Sequence, residues 1–327
     1  MINAKIIPVA VAVLRFGNEF LLATRHAYQH QGGKLEFVGG KIEQGESPKT
    51  ALIREVGEEL GLDIMDNVIT KLGRICHDYG DKVVRLFVYQ VWLTDEQYLD
   101  FKDKKIGLDG QAVAFYDEDF VQVNHDNFPV ANRQILTWLK LPKVITISYP
   151  LSDFNDEKEW IVRHRALAVG RTLLLRTQAD SQTNAELLGD LSSHRDDLCF
   201  VLSLQDVSNA KNSERVVAIR LTQDELLGLD LDCLNLPDLP IIASCHDAHS
   251  IQKANELAKL RPVMAILLSP VLPTATHPDS PALGWGGFER LAELSDVPVI
   301  ALGGLCVSDV DTAYQHGAVA VAGIRRF

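Results

Sequence analysis

Glu55, Glu58 and Glu59 fall at i, i+3 and i+4 in the stretch SPKTALIREVGEELGL, directly after Arg54. On a helix this spacing brings the three carboxylates onto one face. A solvated acidic face is the bland alternative, and it fits badly. Like charges one turn apart cost roughly 0.2–0.5 kcal/mol a pair. Negative charge in a last turn opposes the helix dipole by roughly 0.3–1 kcal/mol each. Gly57, inside the same turn, costs about 1 kcal/mol relative to alanine. Several local rules broken together point to a functional site. Converging carboxylates suit a hard divalent cation, Mg2+ above all, whose coordination is completed by phosphate oxygens. Arg54 is placed to pair with Glu58 one turn on.

The elements that position this array are legible around it. Ser47-Pro48 is a helix start and Leu60-Gly61 a stop, which predicts a helix over 48–60. Ala51, Leu52, Val56 and Leu60 form its apolar stripe. IIPVAVAVLRF and EFLLATRH read as strands joined by a turn at Gly17-Asn18. RLFVYQVWL (85–93) and QAVAFYD (111–117) read as strands, and ANRQILTWLKL (131–141) as a closing helix. The pattern is α+β.

After Leu141-Pro142 the texture changes. Eight short apolar runs recur: KVITISY, TLLLRT, CFVLSL, VVAIRL, PIIASC, VMAILLS, PVIALGG and AVAVAGI. Helical runs such as SIQKANELAKL and GFERLAELS lie between them. Alternating strands and helices predict a (β/α)8 barrel over 142–327 behind an N-terminal domain over 1–141. A length of 327 residues also favours two domains. Phe327 follows the last strand directly, so the barrel is expected to lack its closing helix.

The bulk numbers narrow the classes. A formal charge of −12 argues against a nucleic-acid duplex or an anionic membrane as partner, since both need a basic surface. It allows a small anionic substrate if a metal bridges the repulsion. The N-terminal apolar run is broken by Arg15 and Gly17 and lacks a cleavage site, so it reads as a strand rather than a signal peptide. No run approaches the roughly 20 apolar residues of a membrane helix. The five cysteines, Cys76, Cys199, Cys233, Cys245 and Cys306, are scattered and never spaced CxxC. That pattern predicts reduced thiols and a cytoplasmic protein. Oligomeric state is not legible.

Gly40, five residues, Glu46, seven residues, then Arg54-Glu55-Val56-x-Glu58-Glu59-x-Gly61-Leu62 resembles the Nudix box at each specified position. The resemblance implies an α/β/α sandwich with a mixed sheet, and hydrolysis of nucleoside diphosphates linked to another group. It implies divalent metal, Mg2+ or Mn2+, on Glu55, Glu58, Glu59 and the Gly40 carbonyl, with Arg54 in the catalytic set. Gly39 and Gly40 would let backbone approach metal and phosphate. The flanks KLEFVGGKIEQGE, TRHA (24–27), DGQ (109–111) and FPVAN (128–132) resemble the MutT subgroup, the 8-oxo-dGTP diphosphatases. By that likeness Asn132 reads the oxidised purine, Phe37 helps form the base pocket, and Asp109 assists metal or water. His26 and Lys41 would also lie against the substrate. Two departures stand out: His26 and Lys82 occupy places where the subgroup has arginines. Asn132 also reads as a helix N-cap, and Asp109-Gly110 as a plain turn; both readings stay open.

PVLPTATHPDSPALGWGGFERLAEL (270–294), VPVIALGGL and AVAVAGI resemble the thiamine-phosphate synthase and TenI family of barrels. The resemblance implies that Pro273, Thr274 and Thr276 touch a pyrophosphate. The backbone at Gly303, Gly304 and Gly323 would bind a phosphate. Departures are Leu174 and Gln178 flanking Arg176 where the family has a glutamine and a lysine, and His277 where it has another lysine. Asp206 is a partial match to its metal acid. The expected function is hydrolysis of 8-oxo-dGTP to 8-oxo-dGMP and pyrophosphate, which sanitises the nucleotide pool. Alternatives are a bifunctional thiamine-pathway protein, or a barrel that only senses a phosphorylated ligand or serves as structure.

Overall fold

The computed structural model describes residues 6–28, 31–80, 82–210, 213–274 and 281–327. The chain divides into two units, Met1–Lys140 and Leu141–Phe327. In the first, Ile6–Phe16 forms β1 and turns at Gly17 (φ 59°) into Glu19–Thr24, β2. Short strands Leu35–Glu36 (β3) and Val38–Lys41 (β4) precede the helix Pro48–Leu60 (α1). Then come Ile69–Asp78 (β5), Val83–Trp92 (β6), Asp95–Phe101 (α2), Val113–Asp117 (β7), Glu118–Val123 (α3) and Arg133–Leu139 (α4). The strand expected from 111 thus begins at 113. The helix expected from 131 begins at 133, behind a 3-10 turn at Val130–Asn132.

β1 organises a mixed sheet in the order β3-β2-β1-β6-β5, with β4 and β7 branching from β1 and β2. It runs parallel to β6, and its other edge is shared. Residues 9–12 pair with β4 while residues 14–16 pair with β2. Gly39 and Gly40 are thereby held beside Val11 and Ala10. The stripe of α1 buries Ala51, Leu52, Val56 and Leu60 with Ala10, Ala12, Leu14 and Val38, and each large apolar side chain so buried contributes roughly 1.5–3 kcal/mol. Ser47 caps α1 by accepting from the Thr50 N–H at 3.1 Å, and Gly61 ends it at φ 67°.

In the second unit each of the eight apolar runs is a strand. They are Val144–Ile147 (β8), Thr172–Leu174 (β9), Cys199–Ser203 (β10), Val216–Leu221 (β11), Ile241–Cys245 (β12), Val263–Leu268 (β13), Val299–Leu302 (β14) and Ala320–Gly323 (β15). The helices between them are Glu157–Arg165 (α5), Ser181–His194 (α6), Leu204–Val207 (α7), Gln223–Leu227 (α8), Ala248–Leu257 (α9), Gly284–Ala292 (α10) and Val310–Gln315 (α11). The strands close into a barrel through parallel pairings, β15 meeting both β14 and β8. All six residues of β13 are buried, as a strand between barrel interior and helix layer requires. Because the strands are parallel, their carboxyl ends share one rim, where barrels of this class place their sites.

α5 carries a buried histidine. The His164 ring stacks on Trp160 at 3.8 Å; its Nδ1 donates to the Trp160 carbonyl (2.7 Å) and its Nε2 accepts from the Tyr149 N–H (3.3 Å). Only the neutral ring satisfies both contacts, and burial lowers its pKa to about 4. Among the described residues no helix is long and apolar enough to cross a membrane. All five cysteines are free thiols.

Candidate functional site

Arg54 stands at the centre of the acidic helix. Its Nε and Nη2 donate to Glu46 Oε1 and Oε2 at 3.1 and 3.0 Å, and Nη2 also donates to the Lys41 carbonyl at 3.0 Å. Nη1 donates to Glu55 Oε1 and Glu58 Oε2, both at 2.9 Å. All five guanidinium N–H donors are engaged. Glu46 first, then Glu55 and Glu58, raise the Arg54 pKa, and the same bond lowers that of Glu46. The pairing with Glu58 is therefore one part of a clamp that also reaches back to the loop before the helix.

The three glutamates divide around this clamp. Glu58, 59% exposed, stays on the arginine side. Glu59 turns inward, where burial first, then the charges of Glu36, Glu55 and Asp109, push its carboxyl up to about 8. Gln111 opposes the shift by hydrogen bonding. The inner carboxylates are thus Glu55, Glu59, Asp109 and Glu36. The Leu108 N–H donates to the Glu59 carbonyl at 2.7 Å, which ties the Asp109 turn to the helix end. Glu36 and Gln111 fall inside the flanks KLEFVGGKIEQGE and DGQ, though neither is assigned a role there. Glu36 is ion-paired to Arg25, with burial raising its pKa against that arginine's pull.

Gly40 shows why the loop is glycine-rich. A Cβ there would overlap the Glu55 carboxylate, and one at Gly39 would strike the Ala10 carbonyl. Backbone and carboxylate meet only because the side chain is missing.

The donor set fits a divalent cation of the kind the Nudix resemblance implies. It consists of hard oxygens, several carrying like charge, with one carboxyl raised by burial and then by its neighbours' charges. Among the described residues no three His, Cys, Asp or Glu side chains are arranged to enclose an ion by themselves. That is the usual case for Mg2+, which takes one or two carboxylates and completes its shell with water and substrate phosphate.

A second cluster begins one residue after Glu36. The Phe37 and Phe128 rings stack at 5.6 Å, both fully or nearly buried. Asn132, four residues after Phe128, is 8% exposed. It occupies the N-cap position of α4 and its backbone N–H donates to the Pro129 carbonyl at 2.8 Å, yet its side chain makes no capping hydrogen bond. His26 stacks on Tyr28 at 5.2 Å, Lys41 is exposed at the end of β4, and Lys82 lies 6.0 Å from the Tyr79 ring.

On the barrel rim a cleft of about 320 Å3 is lined by Thr274, Gly303, Gly304, Gly323, Arg325 and Arg326, among others. Gly303 (φ 107°) and Gly304 (φ 70°) press against Pro270 and Leu272, where a Cβ would come within 2.8 and 2.7 Å. The arginines were not anticipated; they follow the last strand, and only the folded chain shows them beside the glycines. Thr276 and His277 lie outside the described residues. Asp206 accepts from Ser203 Oγ (2.5 Å) and Asn184 Nδ2 (3.0 Å), so both of its oxygens are engaged within the fold.

The NUDIX domain family matches residues 6–139, and the thiamine monophosphate synthase family matches residues 155–327, more than half of the chain. The chain belongs to both families. Its Nudix unit is 32% identical over 137 residues to the 8-oxo-dGTP diphosphatase of Escherichia coli K12, covering 42% of this chain and 98% of that protein. Its synthase-family barrel is 44% identical over 55 residues to the thiamine-phosphate synthase of Streptococcus suis, covering 16% of this chain and 24% of that protein. A solved structure of thiamine phosphate pyrophosphorylase from Pyrococcus furiosus is similar with a TM-score of 0.40 at 17% identity, covering 56% of this chain and 85% of that one.

Proposed function

We propose that the Nudix domain, residues 1–141, hydrolyses 8-oxo-dGTP to 8-oxo-dGMP and pyrophosphate in the cytoplasm with Mg2+, or Mn2+ in its place. The observation that carries the substrate is Asn132. Its side-chain amide makes no capping bond at a nearly enclosed position, so donor and acceptor are both open to a ligand. An amide offers both a donor and an acceptor, which suits bidentate pairing with a purine edge. Phe37 and Phe128 give that base an apolar wall that excludes water. The likeness to 8-oxo-dGTP diphosphatases supports the same choice.

Glu55, Glu59 and the Gly40 carbonyl would hold the cation, with Glu58 completing the set from the Arg54 side; when bound, the cation screens the phosphates and lowers the pKa of a coordinated water. The chain's own contribution is positional. Arg54 fixes the rotamers of Glu55 and Glu58 from one guanidinium, and Gly40 keeps Glu55 against the β4 backbone. Asp109 and Glu36 concentrate negative charge on Glu59. Lys41 and His26 are assigned to the substrate's outer side.

The barrel, residues 142–327, is assigned a phosphorylated ligand on Thr274, Thr276, Gly303, Gly304 and Gly323. The cleft between the glycine backbones and Arg325 and Arg326 favours it. Both oxygens of Asp206 are engaged within the fold, which favours ligand binding over full synthase chemistry. The test is a kcat/KM panel with Mg2+ on 8-oxo-dGTP, dGTP and thiamine diphosphate. No preference for the oxidised nucleotide would sink the substrate assignment.

A further inference from the structure

Strand register sets two arginines side by side in the barrel mouth. Leu174 pairs with Val201, and Arg220 pairs with Ser203. The β9 ladder continues through the Leu175 N–H to the Val201 carbonyl at 2.9 Å, so Arg176 comes level with Ser203. Residues in register on parallel strands point to the same face. The opposite face packs on the helices: Leu173, Leu175, Phe200 and Leu202 share a core with Trp160, Leu187 and Leu191. Arg176 and Arg220 therefore point into the barrel, at its carboxyl-end rim, one on each side of Ser203.

Neither guanidinium has a carboxylate in ion-pair reach among the described residues. Arg220 Nε donates to Ser244 Oγ at 3.2 Å, and the Arg176 backbone N–H donates to Ser148 Oγ at 2.7 Å. The neighbouring acids are committed elsewhere. Asp206 is held through both oxygens by Ser203 and Asn184, and Glu225 is drawn to its own helix cap, its Oε2 accepting from the Thr222 N–H and hydroxyl at 2.7 and 2.8 Å. Burial first, then the Arg176 charge, lower the Arg220 pKa, with Glu225 pulling weakly the other way. Two partly desolvated like charges on one inner face cost stability unless an anion lies between them. The guanidinium fork matches phosphate geometry bidentately.

We propose that Arg176 and Arg220 form a two-arginine site in the barrel mouth that binds a phosphate-bearing anion without a divalent cation. A cation at this place would need free carboxylate oxygens on the same inner face, and the row there reads arginine, serine, arginine. The positive charge a metal would bring is already supplied by Arg220. The inference concerns the barrel alone and stands or falls independently of the nucleotide assigned to the Nudix domain.

Isothermal titration of the full chain with inorganic phosphate, once in EDTA and once in Mg2+, tests it. The two affinities are expected to agree within about twofold, and Arg220→Met and Arg176→Met are each expected to weaken binding by about tenfold or more. Arg220→Met should also melt at a higher temperature than wild type when phosphate is left out, because the repulsion is gone. Arg220→Lys, which keeps charge but loses the fork, should fall between. Arginine Nε–H resonances of the wild-type protein should shift on adding phosphate in EDTA, a reading that needs no variant to fold. Binding seen only with Mg2+, variants that bind like wild type, or unmoved arginine resonances would each overturn the proposal.

Discussion

The backbone of Gly40 lies directly against the carboxylate of Glu55, so closely that a single added methyl would overlap it. The neighbour is the free end of a flexible side chain, so alanine at this position displaces Glu55 rather than the strand. Gly40→Ala is expected to fold and melt like wild type yet lose on the order of 100-fold in kcat/KM, as misplacement by about 1 Å does. Near-normal hydrolysis by a folded Gly40→Ala would show that Glu55 does not act from this position.

Crowded carboxylates are expected to make the Nudix domain an ion-stabilised fold. Mg2+ at a hundred times its dissociation constant should raise unfolding free energy by about 2.7 kcal/mol, read as an upward shift of the first unit's melting transition. Glu59→Gln should melt higher than wild type in EDTA, lose most of the Mg2+ response and abolish hydrolysis. A Glu59→Gln protein that retains hydrolysis would remove the helix from the reaction.

Asn132→Ala separates the two roles open to that residue. Loss of a base-reading amide should cut the preference for oxidised over normal purine by roughly 10- to 100-fold, or about 1–3 kcal/mol. Loss of a helix cap would instead cost about 1 kcal/mol of stability. Since the side chain caps nothing, urea denaturation of the variant is expected to match wild type while selectivity falls. The reverse pattern would return Asn132 to a structural role.

The barrel carries a built-in acid sensitivity. His164 is neutral when folded, with its pKa lowered to about 4 by burial from an ordinary 6.5. Between those values the unfolded chain binds the extra proton, so stability is complete above pH 6.5 and falls as pH drops toward 4. The limit of the effect is about 3 kcal/mol. Denaturation midpoints of the second unit at pH 7.5 and 4.5 should differ in wild type and much less in His164→Gln. Equal pH slopes in the two proteins would exclude His164 as the cause.

The barrel strands were legible because most of their residues are buried, β13 entirely, and so they read as short apolar runs. β5 was not: only Thr70, Leu72 and Gly73 of Ile69–Asp78 are buried, and lysine, arginine, histidine and aspartate interrupt its apolar positions. Neither a clean alternation nor an apolar run is left to read. α2 also escaped, although Thr94 and Gln97 stand at capping-box spacing and form that box. At the site, the box named Glu55, Glu58 and Glu59. It could not show that Glu58 faces Arg54 while Glu59 joins Glu36, since helix spacing fixes a face but not what packs against it. Arg220 and Arg325 are brought in by pairing and loop closure, which leave no local spacing to read.

Closure of the barrel depends on its last strand. Val321 lies beside Val144, Ala322 beside Ile145 and Gly323 beside Thr146, so β8, the first strand of the unit to leave the ribosome, waits for the last to arrive. Until then the nascent sheet presents two unpaired edges of valine, isoleucine and leucine, the surfaces most prone to pair with another chain. A ribosome that stalls or a protease that trims before Ala320 would leave an open, adhesive sheet rather than a slightly shortened barrel.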